Sequence, residues 1–143
     1  MPTVDFTAWV TPNLDVTLGG HAYSSPPRSV AEMKVILAFA ALSEHALGIA
    51  KGEPDRELVE LVESQTEPLA ALTLGRPIYD QMISDGIDLD TVQRVGYYAM
   101  HYWARGKARA DWLAGLMWAP EPVEVVARAP KARRRTRNGP PTA

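Results

Sequence analysis

A chain of 143 residues without a cysteine fits one domain and excludes a disulfide scaffold and Cys-ligated zinc. The formal charge of −2 is unevenly spread: residues 1–118 carry nine Lys and Arg against fifteen Asp and Glu, a formal −6, and residues 119–143 carry six against two, a formal +4. An acidic body repels phosphate, so any nucleic-acid contact is confined to the Arg-rich end.

The opening "MPTVDFTAW" has no basic segment followed by an apolar one, so no targeting signal is expected. The longest apolar run, Val35–Leu42, has eight residues, far short of the ~20 that span a bilayer, and a soluble protein is expected. In "LDVTLGGHAY", Leu14, Val16 and Leu18 alternate with Asp15 and Thr17, and Gly19-Gly20 suits a two-residue turn. The spacing predicts a hairpin with Leu18 facing His21 and Val16 facing Tyr23, all on the face of Leu14. Two strands alone are marginal in water, so that face must pack on something.

Pro26-Pro27 keeps the next stretch extended, and Ser29 with Glu32 forms a capping box. A helix is predicted from Val30 to about Leu47, with Gly48 as its stop. Its apolar residues form two stripes, Val30, Met33, Leu37, Ala40 and Val35, Phe39, Leu42, Ala46, the pattern of a central helix covered on more than one side. A short acidic helix follows over Asp55–Ser64, with Leu58, Val59, Leu61 and Val62 inward and Glu57, Glu60 and Glu63 outward. Thr66 is the cap candidate for a helix over Pro68–Leu74, stopped by Gly75.

Pro77 suits the first turn of the next helix, which holds Ile78, Tyr79, Met82 and Ile83 and ends at Asp85-Gly86. Asp88 or Asp90 caps a long helix over Leu89–Arg105. Gly106 breaks it, and a last helix over Lys107–Trp118 carries Trp112, Leu113, Leu116 and Met117. The expected fold is mainly α: a small N-terminal β-hairpin and about five helices within residues 1–118, then a disordered Pro/Arg-rich basic tail over 119–143.

Chemistry is sparse. There is no G-x-S-x-G and no phosphate-binding loop. His21, His45 and His101 lack a second His at helical spacing, so each reads as structural or surface. Asp85, Asp88 and Asp90 do not match a calcium loop and read as a turn with N-cap candidates. No catalytic, cofactor-binding or metal-ligating residue is assigned, and an enzyme is not expected.

The late helices are rich in aromatics: Tyr97, Tyr98, Tyr102, Trp103, Trp112 and Trp118. Beside Arg105, Lys107 and Arg109 they could stack bases. Two short helices do not bury six large rings, so part of this set is expected to face a partner, where Tyr and Trp are enriched. Trp103 and Trp112 are placed in the core; Tyr98 and Trp118 fit either core or interface. Met33, Met82, Met100 and Met117 read as core filler.

Leu74-Gly75, then Tyr79-Asp80 and Met82, then Asp85-Gly86 with Ile87, and a helix running through Ala99 to Trp103 form a pattern. It resembles the tail assembly chaperones of actinobacterial siphophages. Leu14, Val16, Gly20, Tyr23, Pro26, Pro27 and Ser29 loosely match the start of that family, and the likeness covers about residues 5–118. The resemblance implies a non-enzymatic protein of the host cell cytoplasm, absent from the mature virion. It would bind the phage tape measure protein in multiple copies, keep it soluble and extended, and help recruit the tail tube protein. It also implies a longer form of the same chain made by programmed ribosomal frameshift. Pro130-Lys131 would allow a slip site if encoded C-CCA-AAG. Two other readings stand beside it: a nucleic-acid-binding protein acting through the basic tail, and another phage structural part such as a connector.

Overall fold

The computed structural model describes residues 2–118. The expectations about residues 119–143, a disordered tail and a slip site at Pro130-Lys131, lie outside the described residues. After a short 3-10 turn, Thr7–Trp9, come strands β1 (Leu14–Leu18) and β2 (His21–Ser25). Six helices follow among the described residues: α1 (Val30–Ala46), α2 (Arg56–Glu63), α3 (Leu69–Leu74), α4 (Arg76–Ser84), α5 (Leu89–Arg105) and α6 (Lys107–Trp118).

The hairpin has the predicted register: Val16 pairs with Tyr23 and Leu18 with His21 across Gly19-Gly20, whose φ values of 51° and 93° are those a two-residue turn requires. Its inward face rests on the helices. Ser25 Oγ donates to the carbonyl of Leu74 at 2.7 Å, and the Tyr23 hydroxyl donates to Asp85 at 2.7 Å. Those bonds fasten β2 to the end of α3 and the end of α4, which supplies the support that two strands lack by themselves.

The capping box of α1 is present: Ser29 Oγ accepts from the Glu32 amide at 3.1 Å, and the Glu32 carboxylate accepts from the Ser29 amide at 2.9 Å. Asp55 caps α2 and Asp88 caps α5. Thr66 does not cap α3; Pro68 occupies that position and no side chain bonds there. The inward row of α1 also differs from the two predicted stripes. Ile36, in neither stripe, is fully buried with Ala40, and Glu44 is buried beside them, whereas Val30 and Leu37 are exposed. The reason is the i, i+4 spacing of Ile36, Ala40 and Glu44, which lays one row along α5 while α2 covers a second side.

The most enclosed helix is α5, packed against α1, α3, α4 and α6. One core cluster joins Leu14 and Tyr23 to Ala70, Leu74, Met82, Val92 and Ala99; a second joins Ile36 and Ala40 to Met100. Trp103 packs against both. Its indole N–H donates to the carbonyl of Thr73 at 2.8 Å, and Thr73 Oγ1 donates to the carbonyl of Gly96 at 2.9 Å. A Cβ at Gly96 would stand 2.5 Å from the Cα of Ala70, so the absent side chain is what lets α3 and α5 meet.

Candidate partner-binding groove

Helical spacing sorts α5 into two sides. Gly96, Ala99 and Trp103 turn toward α3, and Val95, Tyr98 and Tyr102 turn toward β1 and α6. After Gly106, α6 returns with Lys107, Ala114 and Trp118 on that second side, and β1 adds Leu14, Asp15 and Val16. Between these three elements lies a groove of about 440 Å³. Its walls are apolar and aromatic, and the exposed side chains of Arg94, Lys107 and Asp15 stand around it.

The rings of the groove are held in place. The Tyr98 hydroxyl donates to Asp111 Oδ1 at 2.6 Å, and Lys107 reaches Asp111 Oδ2 at 2.6 Å. Lys107 and then Tyr98 hold the Asp111 carboxyl below its ordinary range. Desolvation, with Asp111 beside it, pushes the Tyr98 hydroxyl well above the usual tyrosine value, so it remains a neutral donor. Tyr98 and Tyr102 stack at a centroid distance of 6.2 Å. Trp118 carries the Arg94 guanidinium 6.0 Å from its ring centre and meets Tyr97 edge-on at 5.7 Å.

Of the six late-helix aromatics from which partner-binding residues were expected, the groove gathers Tyr98, Tyr102 and Trp118. Tyr97 lies to another side of α5, where its hydroxyl pairs with Ser43 and its ring lines a smaller depression of about 320 Å³ with Pro68, Tyr79 and Leu89. Trp103 is in the core, as expected. Trp112 is not: it is 51% exposed, with the Arg109 guanidinium 5.7 Å from its ring centre. The inward line of α6 is Ala110 and Leu113, which leaves Trp112 on the wet side together with Leu116 and Met117, so Met117 is not core filler either.

The motif Leu74, Gly75, Tyr79, Asp80, Met82, Asp85 and Gly86 shapes the bend from α3 through α4. Leu74 and Met82 are fully buried. Gly75 joins the two helices with the Arg28 guanidinium 2.9 Å from where a Cβ would stand. Tyr79 packs on the core under Arg76, and Asp80 pairs with Arg76 at 3.3 Å. Asp85 accepts from Tyr23 and from Gln81, and His21 lies 3.5 Å away; these neighbours, Tyr23 first, keep its carboxyl below the ordinary value. Desolvation and Asp85 together push the Tyr23 hydroxyl up to about 12. Gly86 follows as the left-handed stop of α4.

Sequence reasoning missed the buried carboxylate of Glu44. Arg105 grips both its oxygens at 2.9 Å and Arg109 adds a contact at 3.2 Å, tying α1 to the α5–α6 corner. The available signal was its place four residues after Ala40 in an otherwise apolar row. Two cations read as flanking stackable rings, Arg105 and Arg109, are thus paired with Glu44. The buried His101 is held below the ordinary histidine value by desolvation, with Arg105 and Arg109 adding to the effect against Glu44. Sequence reasoning also missed Phe6 and Trp9, both exposed ahead of the hairpin.

Among the described residues no three His, Asp or Glu side chains gather to hold a metal ion, and no helix is long and apolar enough to cross a membrane. The arrangement is an apolar, ring-lined groove on a helical scaffold. The chain belongs to the family described as Domain of unknown function (DUF7426), which matches residues 4–143. No curated protein and no solved structure matches it.

Proposed function

We propose that this protein is a siphophage tail assembly chaperone, which binds the tape measure protein in the host cell cytoplasm, keeps it soluble and promotes tail tube assembly. The observation that carries the proposal is the groove between β1, α5 and α6. Its volume of about 440 Å³ is in the range of ligand pockets, and its rings are fixed before any partner arrives. An amphipathic helix of a long, partly apolar client lays its apolar face into such a surface. Each bound copy lowers the concentration of free client by mass action, and many copies along one chain add avidity. The Leu74–Gly86 motif adds the resemblance to that family. In this reading the tail tube protein and a longer frameshifted form are further partners, and the chaperone leaves before the virion is complete.

Base stacking by the body is disfavoured, because Arg105 and Arg109 are engaged by Glu44. A nucleic-acid role would rest on residues 119–143 alone, and a connector would remain in purified virions. The test is co-expression with the tape measure protein of the same genome. The soluble fraction of the client rises with the wild-type chain and falls back with Trp118→Ala or Ala114→Arg. An unchanged soluble fraction with and without the wild-type chain overturns the proposal.

A further inference from the structure

One wall of the groove is a strand edge. Leu14, Asp15 and Val16 all line it, and since neighbours in a strand point to opposite faces, three in a row mark the edge of β1 rather than one of its faces. β1 pairs with β2, and among the described residues no other backbone hydrogen bond reaches it. Leu18 and His21 flank the two-residue turn and exchange their backbone bonds, so with a period of two Val16 and Leu14 also turn their N–H and C=O groups toward β2. Asp15 and Thr17 turn theirs the other way. Such an edge is a template for one more strand, with side-chain pockets beside it.

The opposite wall ends in Trp118, which lines the groove and is also the last residue of α6. Pro120 pushes Ala119 out of the helical region, so the chain continues from the rim of the groove itself. We propose that residues 123–126 of the same chain lie along the free edge of β1 as a third strand, with valine side chains in the groove. Composition selects this segment. Within residues 119–143, Val123, Val125 and Val126 are the only large aliphatic side chains apart from proline, and there is no aromatic one. Three β-branched residues in four favour extended backbone, and Val123 and Val125 share one face of a strand, with Glu124 on the other. Length selects it too. Residues 119–123 span at most about 17 Å. That is enough to cross from Trp118 to β1, two walls of one groove of about 440 Å³. Pro120 and Pro122 hold this lead extended and carry no N–H that needs a partner.

Attachment to Trp118 makes the contact intramolecular, so the groove meets its own segment at a high effective concentration. A client competes with the valines for the same walls. The contact shares the groove of the proposed function but needs no client, so either can fail without the other.

The test is NMR of the full-length chain alone. In the wild type the amides of Asp15 and Thr17 exchange about tenfold more slowly, or slower still, than in the triple variant Val123→Ser, Val125→Ser, Val126→Ser. The amides of Leu14 and Val16, bonded to β2, exchange alike in both proteins. The variant alters nothing in residues 2–118, so the fold of the body is not at stake. Methyl groups of Val123 or Val125 show nuclear Overhauser contacts to the rings of Tyr98 or Trp118, and tenfold dilution leaves the wild-type exchange unchanged. Equal exchange of Asp15 and Thr17 in the two proteins overturns the proposal, as does the absence of methyl–ring contacts. Protection that fades on dilution also overturns it, because the occupant is then a second copy.

Discussion

On the side facing α3, α5 presents Gly96, Ala99 and Trp103 and closes to contact; on the side facing β1 and α6 it presents Val95, Tyr98 and Tyr102 and leaves a groove of about 440 Å³. Both sides carry large rings. What separates them is the small residues: Gly96 and Ala99 let the backbone of α3 approach until Trp103 is enclosed and its N–H must find the Thr73 carbonyl. On the other side α5 turns Val95 and two tyrosines toward β1 and α6, and the groove stays open. Aromatic content accompanies both a closed seam and an open groove, and the neighbouring small residues tell which is which.

The largest effect that sharpens this contrast is expected from Trp103→Ala, about 3–5 kcal/mol of stability by denaturant unfolding. Trp112→Ala, on the wet side of α6, should stay within about 0.5 kcal/mol. Equal losses at the two tryptophans would break the comparison. Next comes Gly96→Val, about 1–3 kcal/mol, because its Cβ would have to push α3 away at Ala70. A neutral result would mean that the helices are not held at that approach.

Smaller again is Glu44→Gln, about 1–2 kcal/mol, since the arginines that hold the carboxylate are themselves more than one-third exposed. Its pH dependence has a definite sign. The Arg105 hydrogen bonds depress the folded carboxyl below its ordinary 4.5, so the unfolded chain takes up the proton first. The contribution is fully present above about 4.5 and is lost as pH falls through the lower folded value. Melting temperatures of wild type and Glu44→Gln should therefore converge in acid. His101, held below 6.5, makes stability begin to decline already as pH drops through that value, in both proteins. Smaller than Glu44→Gln is Tyr98→Phe, which loses the bond to Asp111 for about 0.5–1 kcal/mol and keeps the ring in the groove.

Local chemistry made much of the fold legible. Alternation around Gly19-Gly20 fixes the hairpin register, and the Ser29–Glu32 box, Asp55, Asp88 and Gly86 mark helix ends within a residue or two. Long-range packing was not legible. Ile36 over Val30 is decided by where α5 lies, and Glu44 meets Arg105 across 61 positions of chain. In α6 apolar residues occur all round the helix, so only the burial of Ala110 and Leu113 reveals that Trp112 points outward. The groove was half visible: its tyrosines and Trp118 stood out as surplus rings, but the contribution of β1, some 80 positions earlier, had no sequence signal. The exposure of Phe6 and Trp9 was invisible because they fall in a segment too short to show a period.

The central claim, that the outer side of α5 is a docking surface, is tested most directly by hydrogen–deuterium exchange of the full chain with and without the tape measure protein. Exchange should slow in Leu14–Leu18, Val95–Tyr102 and Lys107–Trp118, stay unchanged in α2, and lose that protection in Ala114→Arg. Protection confined to α2 or to residues 119–143, with the groove elements unaltered, would contradict it.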